Sequence, residues 1–175
     1  MRVVLADDAE LLRSALVTLL AHHGCTVVGE AATAHDAIRL TLAERPELVL
    51  MDVRMPPGRS NEGIVAAHRI RAEAPDVAIL LLSQDVILDG LSELLATGPG
   101  VGYLLKETVT GITGLLDAMR RLGEGGVVID PLVLRQLGAV GRARQDLAAL
   151  TEREGEVLEL MAEGWSNRTI APASG

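Results

Sequence analysis

A single cysteine, Cys25, stands in 175 residues, so an intrachain disulfide is impossible and the chain is expected in a reducing compartment. Cys25 reads as a small buried apolar residue. Phenylalanine is absent, tyrosine occurs once at Tyr103 and tryptophan once at Trp165. No apolar run approaches the roughly 20 residues that span a bilayer; the longest, Val77 to Ser83, is strand-length. Met1-Arg2 leads directly into Val3-Val4-Leu5 and acidic residues, which is not the pattern of a signal peptide. A cytoplasmic protein with no membrane partner is expected. There is no excess of positive charge either: the net charge of −8 argues against a nonspecific polyanion binder, which needs clustered Lys and Arg. Lysine is nearly missing. Of 16 basic residues only Lys106 is a lysine, so that position calls for a compact ammonium rather than a planar guanidinium.

What is present is an alternation. Hydrophobic residues make up 49% of the chain and charged residues 23%, the balance of a globular, core-forming protein. Val3 to Ala6, Thr26 to Gly29, Leu48 to Met51, Val77 to Leu82 and Gly102 to Leu105 are short apolar runs of strand length. Between them lie helical patterns. Leu11, Leu12, Ala15, Leu16, Leu19 and Leu20 share one helical face, and helices are expected near 34–44, 62–73, 88–96 and from Lys106 to Leu122. Strands apolar on both faces and separated by helices predict an α/β fold, a doubly wound five-stranded parallel sheet over residues 1–122. Such sheets do their chemistry outside the carboxyl ends of the strands.

The polar residues fall at those ends. Asp7 and Asp8 follow strand one, Asp52 strand three, Ser83 strand four and Lys106 strand five. Taken singly each has a plainer use: Asp7 and Asp8 suit a helix cap, Ser83 a turn, Tyr103 a core. Jointly they describe one cleft. Three carboxylates that close repel unless a cation joins them, and hard oxygen ligands with room for water suit Mg²⁺. An Asp oxygen beside such a cation can act as nucleophile, while a hydroxyl and an ammonium grip the oxygens of the acyl phosphate it forms.

Asp7-Asp8, the run Met51-Asp52-Val53-Arg54-Met55-Pro56, Ser83, and Gly102-Tyr103-Leu104-Leu105-Lys106 resemble the receiver-domain motifs of two-component response regulators. The resemblance implies a flavodoxin-like receiver with Asp52 as phospho-acceptor. It implies Mg²⁺ held by Asp7, Asp8, Asp52 and the backbone carbonyl of Arg54, with Ser83 and Lys106 binding phosphate and Tyr103 as the switch aromatic. A sensor histidine kinase as partner and homodimerisation on phosphorylation are implied with it. Two features depart from the commonest pattern: Gln84 replaces a small residue after Ser83, and Gly58-Arg59-Ser60-Asn61 extends the loop after Pro56-Pro57. The protein is not expected to be an enzyme in its own right. An aspartyl-phosphate phosphatase would need a second carboxylate two residues beyond Asp52, where Arg54 stands.

Residues 123–149 read as a linker with a short helix to Leu137 and a tether from Gly138 to Gln145. Residues 150–171, with Leu150-Thr151-Glu152-Arg153-Glu154 and Ser166-Asn167-Arg168-Thr169-Ile170-Ala171, resemble the start of a LuxR-type helix-turn-helix of NarL/FixJ-type regulators, and 172–175 are a tail. Thr151 and Glu154 form a capping-box pattern, and Trp165 packs between helices in this reading. Pro172 stops the helix before the recognition helix, and Arg153 and Arg168 face five glutamates, so DNA-binding residues are expected to be missing here. Promoter DNA is the partner expected of the longer family member, not of this chain. The leading expectation is a transcriptional response regulator, the alternative a receiver that acts as a phosphate sink or interaction module.

Overall fold

The computed structural model describes the backbone of residues 1–109 and 111–148, with side chains through Arg142. Six strands alternate with six helices: β1 (Arg2–Ala6), α1 (Glu10–His22), β2 (Thr26–Ala31), α2 (Ala34–Glu44), β3 (Leu48–Asp52), α3 (Glu62–Glu73), β4 (Ala78–Ser83), α4 (Leu91–Leu95), β5 (Val101–Leu105), α5 (Ile112–Gly123), β6 (Val128–Ile129) and α6 (Pro131–Ala148). All strand pairs are parallel, in the order β2-β1-β3-β4-β5-β6. Strand order reverses between β1 and β3, and at such a reversal an α/β sheet opens a crevice at its carboxyl edge.

Burial explains why these runs are strands. Val3, Leu48 and Ala78 stand in one cross-strand row, and Leu5, Leu50, Leu80 and Gly102 in the next. Those rows pack with Leu16 and Leu20 of α1 and Leu115, Met119 and Leu122 of α5 in a single core. Residues of the other parity, Val4, Val49, Met51, Ile79 and Leu81, are fully buried on the opposite face, where α2, α3 and α4 lie. With both faces of β3 sealed, its five residues are all buried, and Asp52 is carried to the sheet's carboxyl edge on a rigid strand. No described helix is long and apolar enough to cross a membrane.

The expected five-stranded sheet has six strands. Val128 and Ile129 pair with Gly102 and Tyr103, and Gly126 accepts from the Gly100 amide at 2.9 Å. Two residues carry no readable periodicity; the open edge of β5 supplies the hydrogen bonds that make them a strand. The helix expected over 88–96 is shortened to Leu91–Leu95. Residues 84–90 form an irregular loop, for a reason given below.

The stretch 138–145, expected as a tether, lies inside the 18-residue helix α6. Gly138 and Gly141 cost a helix about 1 kcal/mol each, which the surrounding Leu, Ala, Arg and Gln residues and a strong start offset. That start is Asp130, whose Oδ1 accepts from the Leu132 amide at 2.8 Å, with Pro131 at the first helical position. The other carboxylate oxygen of Asp130 bonds to the Thr108 hydroxyl. Asp130→Ala should cost about 1–2 kcal/mol of stability in chemical denaturation, and Asp130→Asn, which can still cap, clearly less. Equal losses for the two would remove the cap from this account. By contact density the chain divides into Met1–Leu134 and Arg135–Gly175. The helix-turn-helix segment expected at 150–171 and the tail at 172–175 lie outside the described residues.

Candidate phosphoryl-acceptor site

The β1–α1 turn places Asp7 and Asp8 beside the end of β3. Neither acts as the side-chain cap of α1: the N-cap is Ala9, with no side-chain cap bond. Instead Asp7 is fastened from three directions. Its Oδ1 accepts from the Ala9 amide at 2.9 Å, its backbone carbonyl from Arg13 at 2.7 Å, and its Oδ2 from Lys106 Nζ at 2.8 Å. Lys106 also lies 2.9 Å from Asp52 Oδ1, so one ammonium bridges two carboxylates, one from the β1–α1 turn and one from the end of β3. Asp8 pairs separately, its Oδ2 lying 2.8 Å from the Arg59 guanidinium. One oxygen from each of Asp7, Asp8 and Asp52 falls within 4.8 Å of the others.

These groups surround a cavity of about 270 Å³ lined by Asp7, Asp8, Asp52, Arg54, Gln84 and Lys106, with Arg59 at its wall. Two electrostatic effects compete at Asp52. Burial raises its pKa above the usual 3.8, and the bond to Lys106 works in the opposite direction; burial wins, helped by the nearby charges of Asp7 and Asp8. At Lys106 burial disfavours the charged form, but the bonds to Asp7 and Asp52 outweigh it and hold the ammonium above its ordinary pKa. The pair is therefore unequal: the ammonium is secured, and the Asp52 carboxylate is held at a cost that a further cation would relieve.

Ser83 ends β4, one position beyond the register partner of Asp52. Its residue is 1% exposed, and among the described side-chain atoms its hydroxyl is the buried one that lacks a hydrogen-bond partner. Burying an unsatisfied hydroxyl costs about 1–3 kcal/mol, so a group that would accept from it is favoured at this strand end. The Ser83 hydroxyl lies near enough to Tyr103 to pull its pKa down as a polar neighbour, against the larger effect of burial, but makes no hydrogen bond of good geometry to it; the bonds of the Tyr103 hydroxyl are committed elsewhere. The Tyr103 hydroxyl donates to the Asp85 carbonyl at 3.0 Å and accepts from the Ile87 amide at 3.1 Å. Two backbone bonds to a fully buried tyrosine hold residues 84–90 down as a loop, which is why α4 starts late. Burial raises the Tyr103 pKa, so it remains a neutral donor.

The structure therefore brings Asp7, Asp8, Asp52, Arg54 and Lys106 to one cavity, with Ser83 buried at the strand end and Tyr103 behind it in the core. Arg54 pairs through its side chain with Asp85 at 3.0 Å. Three contributors were not singled out from sequence for their roles here. Arg13 orders the Asp7 backbone. Arg59 was noted only as part of a loop extension. Gly63 opens α3 against β3: its amide donates to the Val53 carbonyl at 2.9 Å, and a Cβ there would lie 2.1 Å from the Asp52 carbonyl oxygen. A glycine at a helix start carries little local signal, because the demand for it comes from a strand ten residues away.

A doubly wound parallel sheet that gathers acidic residues and a lone lysine at its carboxyl edge has the arrangement expected of a signal-receiver domain. The family described as the response regulator receiver domain matches residues 3–113. The response regulator protein VraR of Staphylococcus epidermidis is 33% identical over 175 residues, covering 99% of this chain and 81% of that protein. The signal receiver domain of the response regulator NarL from Mycobacterium tuberculosis superposes with a TM-score of 0.60 at 30% identity, covering 71% of this chain and 96% of that one. A structure of two RcsB dimers bound to two parallel DNAs gives a TM-score of 0.64 at 26% identity, over 99% of this chain and 82% of that one. The chain belongs to the response regulators of two-component signal transduction, with a receiver domain at its N-terminus.

Proposed function

We propose that Asp52 is the phospho-acceptor of this receiver and that a sensor histidine kinase is its phosphoryl donor. The observation that carries this is the convergence of Asp7, Asp8 and Asp52 within 4.8 Å around a lysine-bridged cavity. An Asp52 oxygen attacks the phosphorus of a phosphohistidine, the P–N bond breaks, and the imidazole leaves with a proton from solvent. Hydrolysis of the acyl phosphate later returns Asp52 and inorganic phosphate.

The donor set fits Mg²⁺: three hard carboxylates, a surplus of negative charge, and a cavity larger than one hydrated ligand needs. Asp7, Asp8, Asp52 and the backbone carbonyl of Arg54 would hold it. When bound, it supplies charge neutralisation and a template for the phosphoryl oxygens. The protein's own residues do the rest. Lys106, already beside Asp52, would keep its proton and pair with one phosphoryl oxygen, and the Ser83 hydroxyl would donate to another. Both are neighbours of β5, so the change reaches Tyr103 and the loop at 84–90 that it holds.

A small acyl-phosphate donor with Mg²⁺ should add one phosphoryl group per chain, read by intact mass and mapped to Asp52. Chelation should abolish it; labelling that survives chelation, or maps elsewhere, removes the assignment. Lys106→Arg tests the coupling. It should still accept phosphate, because Asp52 and the acidic pair remain, but amide resonances of residues 84–90 should respond far less than in the native chain, since a planar fork cannot take a point charge's place. Native-like responses would defeat the point-charge argument.

For output we propose dimerisation on phosphorylation and control of promoter DNA; the similar RcsB structure, which shows dimers bound to DNA, is in keeping with this reading. Residues 123–149 join the receiver to a LuxR-type segment at 150–171 in this reading. Two arginines against five glutamates after Thr151 supply few phosphate contacts, so the DNA contact belongs to the output domain of the longer family architecture. A cytoplasmic setting is proposed from membership of the receiver family; separately, no described helix is long and apolar enough to cross a membrane.

A further inference from the structure

The loop between β3 and α3 carries a cation that the phosphoryl chemistry above does not use. Arg59 has a left-handed backbone, φ 56°, and its amide donates to the Met55 carbonyl at 3.0 Å. From there its guanidinium reaches Asp8 Oδ2 at 2.8 Å. The loop around it is fastened independently: Ser60 N donates to Glu62 at 2.6 Å and Asn61 to Asp89 at 2.6 Å. Arg54, the other arginine on the cavity wall, is committed to Asp85. Lys106 serves Asp7 and Asp52 and not Asp8. Among the described residues, Asp8 therefore takes its balancing charge from Arg59. The two ends of this pair differ. The Asp8 side chain is 20% exposed and that of Arg59 68%, so the guanidinium can leave into water by side-chain rotation while the carboxylate stays.

We propose that Arg59 is a built-in competitor for the divalent-cation site, exchanging with the metal at Asp8 and so setting the concentration at which the receiver loads. This rests on the metal site described under Proposed function. A cation coordinated by Asp8 would stand within a few ångströms of the guanidinium, and two positive groups that close repel, less strongly as salt screens the exposed arginine. Loading therefore expels Arg59 from the carboxylate.

Calorimetric titration of Mg²⁺ into the full chain tests this, with Arg59→Asn and Arg59→Lys as variants. Asparagine removes the charge and tolerates the left-handed backbone. The Arg59→Asn dissociation constant should fall about two- to fivefold at low salt, the size of an exposed ion pair, and the gap should narrow at high salt. Arg59→Lys should lie between the two. In the native chain the Arg59 Nε–Hε resonance should move with Mg²⁺ along the calorimetric isotherm. Equal or weaker Mg²⁺ affinity in Arg59→Asn, or a resonance that stays fixed while metal saturates, overturns the exchange and leaves the metal site standing. A native chain that binds no Mg²⁺, or an Asp8→Asn variant that binds like the native chain, overturns the metal site and this inference with it.

Discussion

Asp52→Asn should lose phosphorylation by at least about two orders of magnitude while remaining folded, because the carboxamide has no anionic oxygen to attack phosphorus. The variant should also separate two forces at this residue. Burial raises the folded-state pKa of Asp52 above its unfolded value, against the pull of Lys106. A carboxyl with a raised folded pKa binds its proton more tightly when folded, so its ionisation works against the fold. The cost is absent below the unfolded value of 3.8, grows as pH rises through the folded pKa, and is complete above it. With a chelator present, the unfolding free energy of the native chain should therefore decline relative to Asp52→Asn over that window and then run parallel to it. A native chain that instead gains on the variant as pH rises would mean that the Lys106 bond outweighs burial. The site would then be a stabilising ion pair rather than a carboxylate held at a cost.

Gly63→Ala should be the most damaging single-methyl addition near the site. The new Cβ would lie 2.1 Å from the Asp52 carbonyl oxygen and 2.8 Å from Val53 Cα, both backbone atoms with no rotamer to escape into. Either α3 retreats from β3 or the end of β3 bends, and both break the Gly63 amide bond to Val53. Overpacking in a packed core costs about 1–3 kcal/mol, and more where the clash is with backbone that cannot move aside. Denaturant unfolding should show that loss, and the folded fraction that remains should accept phosphate more slowly, because Asp52 sits on the displaced peptide. Stability within about 0.5 kcal/mol of the native chain would show that α3 can slide without cost, and would remove Gly63 from the site.

The strand ends were legible because each polar residue follows an apolar run of strand length, and because a parallel sheet sends all such ends to one edge. Asp7, Asp8, Asp52 and Lys106 needed no partner to be found: a carboxylate or a lone lysine after a buried strand stands out against its own neighbours. The elements that were misread share a different property. Val128-Ile129 is a strand only because β5 offers an open edge. Residues 88–90 leave the helical pattern because Tyr103, 16 and 18 positions from its partners, bonds Ile87 and Asp85. Gly138 and Gly141 suggested a tether because glycine weakens a helix locally, yet Asp130 and Pro131 start the helix firmly enough to run through both.

The sequence by itself determined the order of the first five strands and the helices between them, the faces they bury and the chemical character of the strand ends, since those follow from periodicity and residue type over a few consecutive positions. Only the tertiary structure decided which charges meet. Lys106 bridges Asp7 and Asp52 but leaves Asp8 to Arg59, and Ser83 keeps an unpartnered hydroxyl while Tyr103 spends its own on a loop. Pairings of that kind depend on distances of a few ångströms between residues that lie up to 99 positions apart. A hydrogen bond or ion pair fades within such a distance, and no local pattern encodes it.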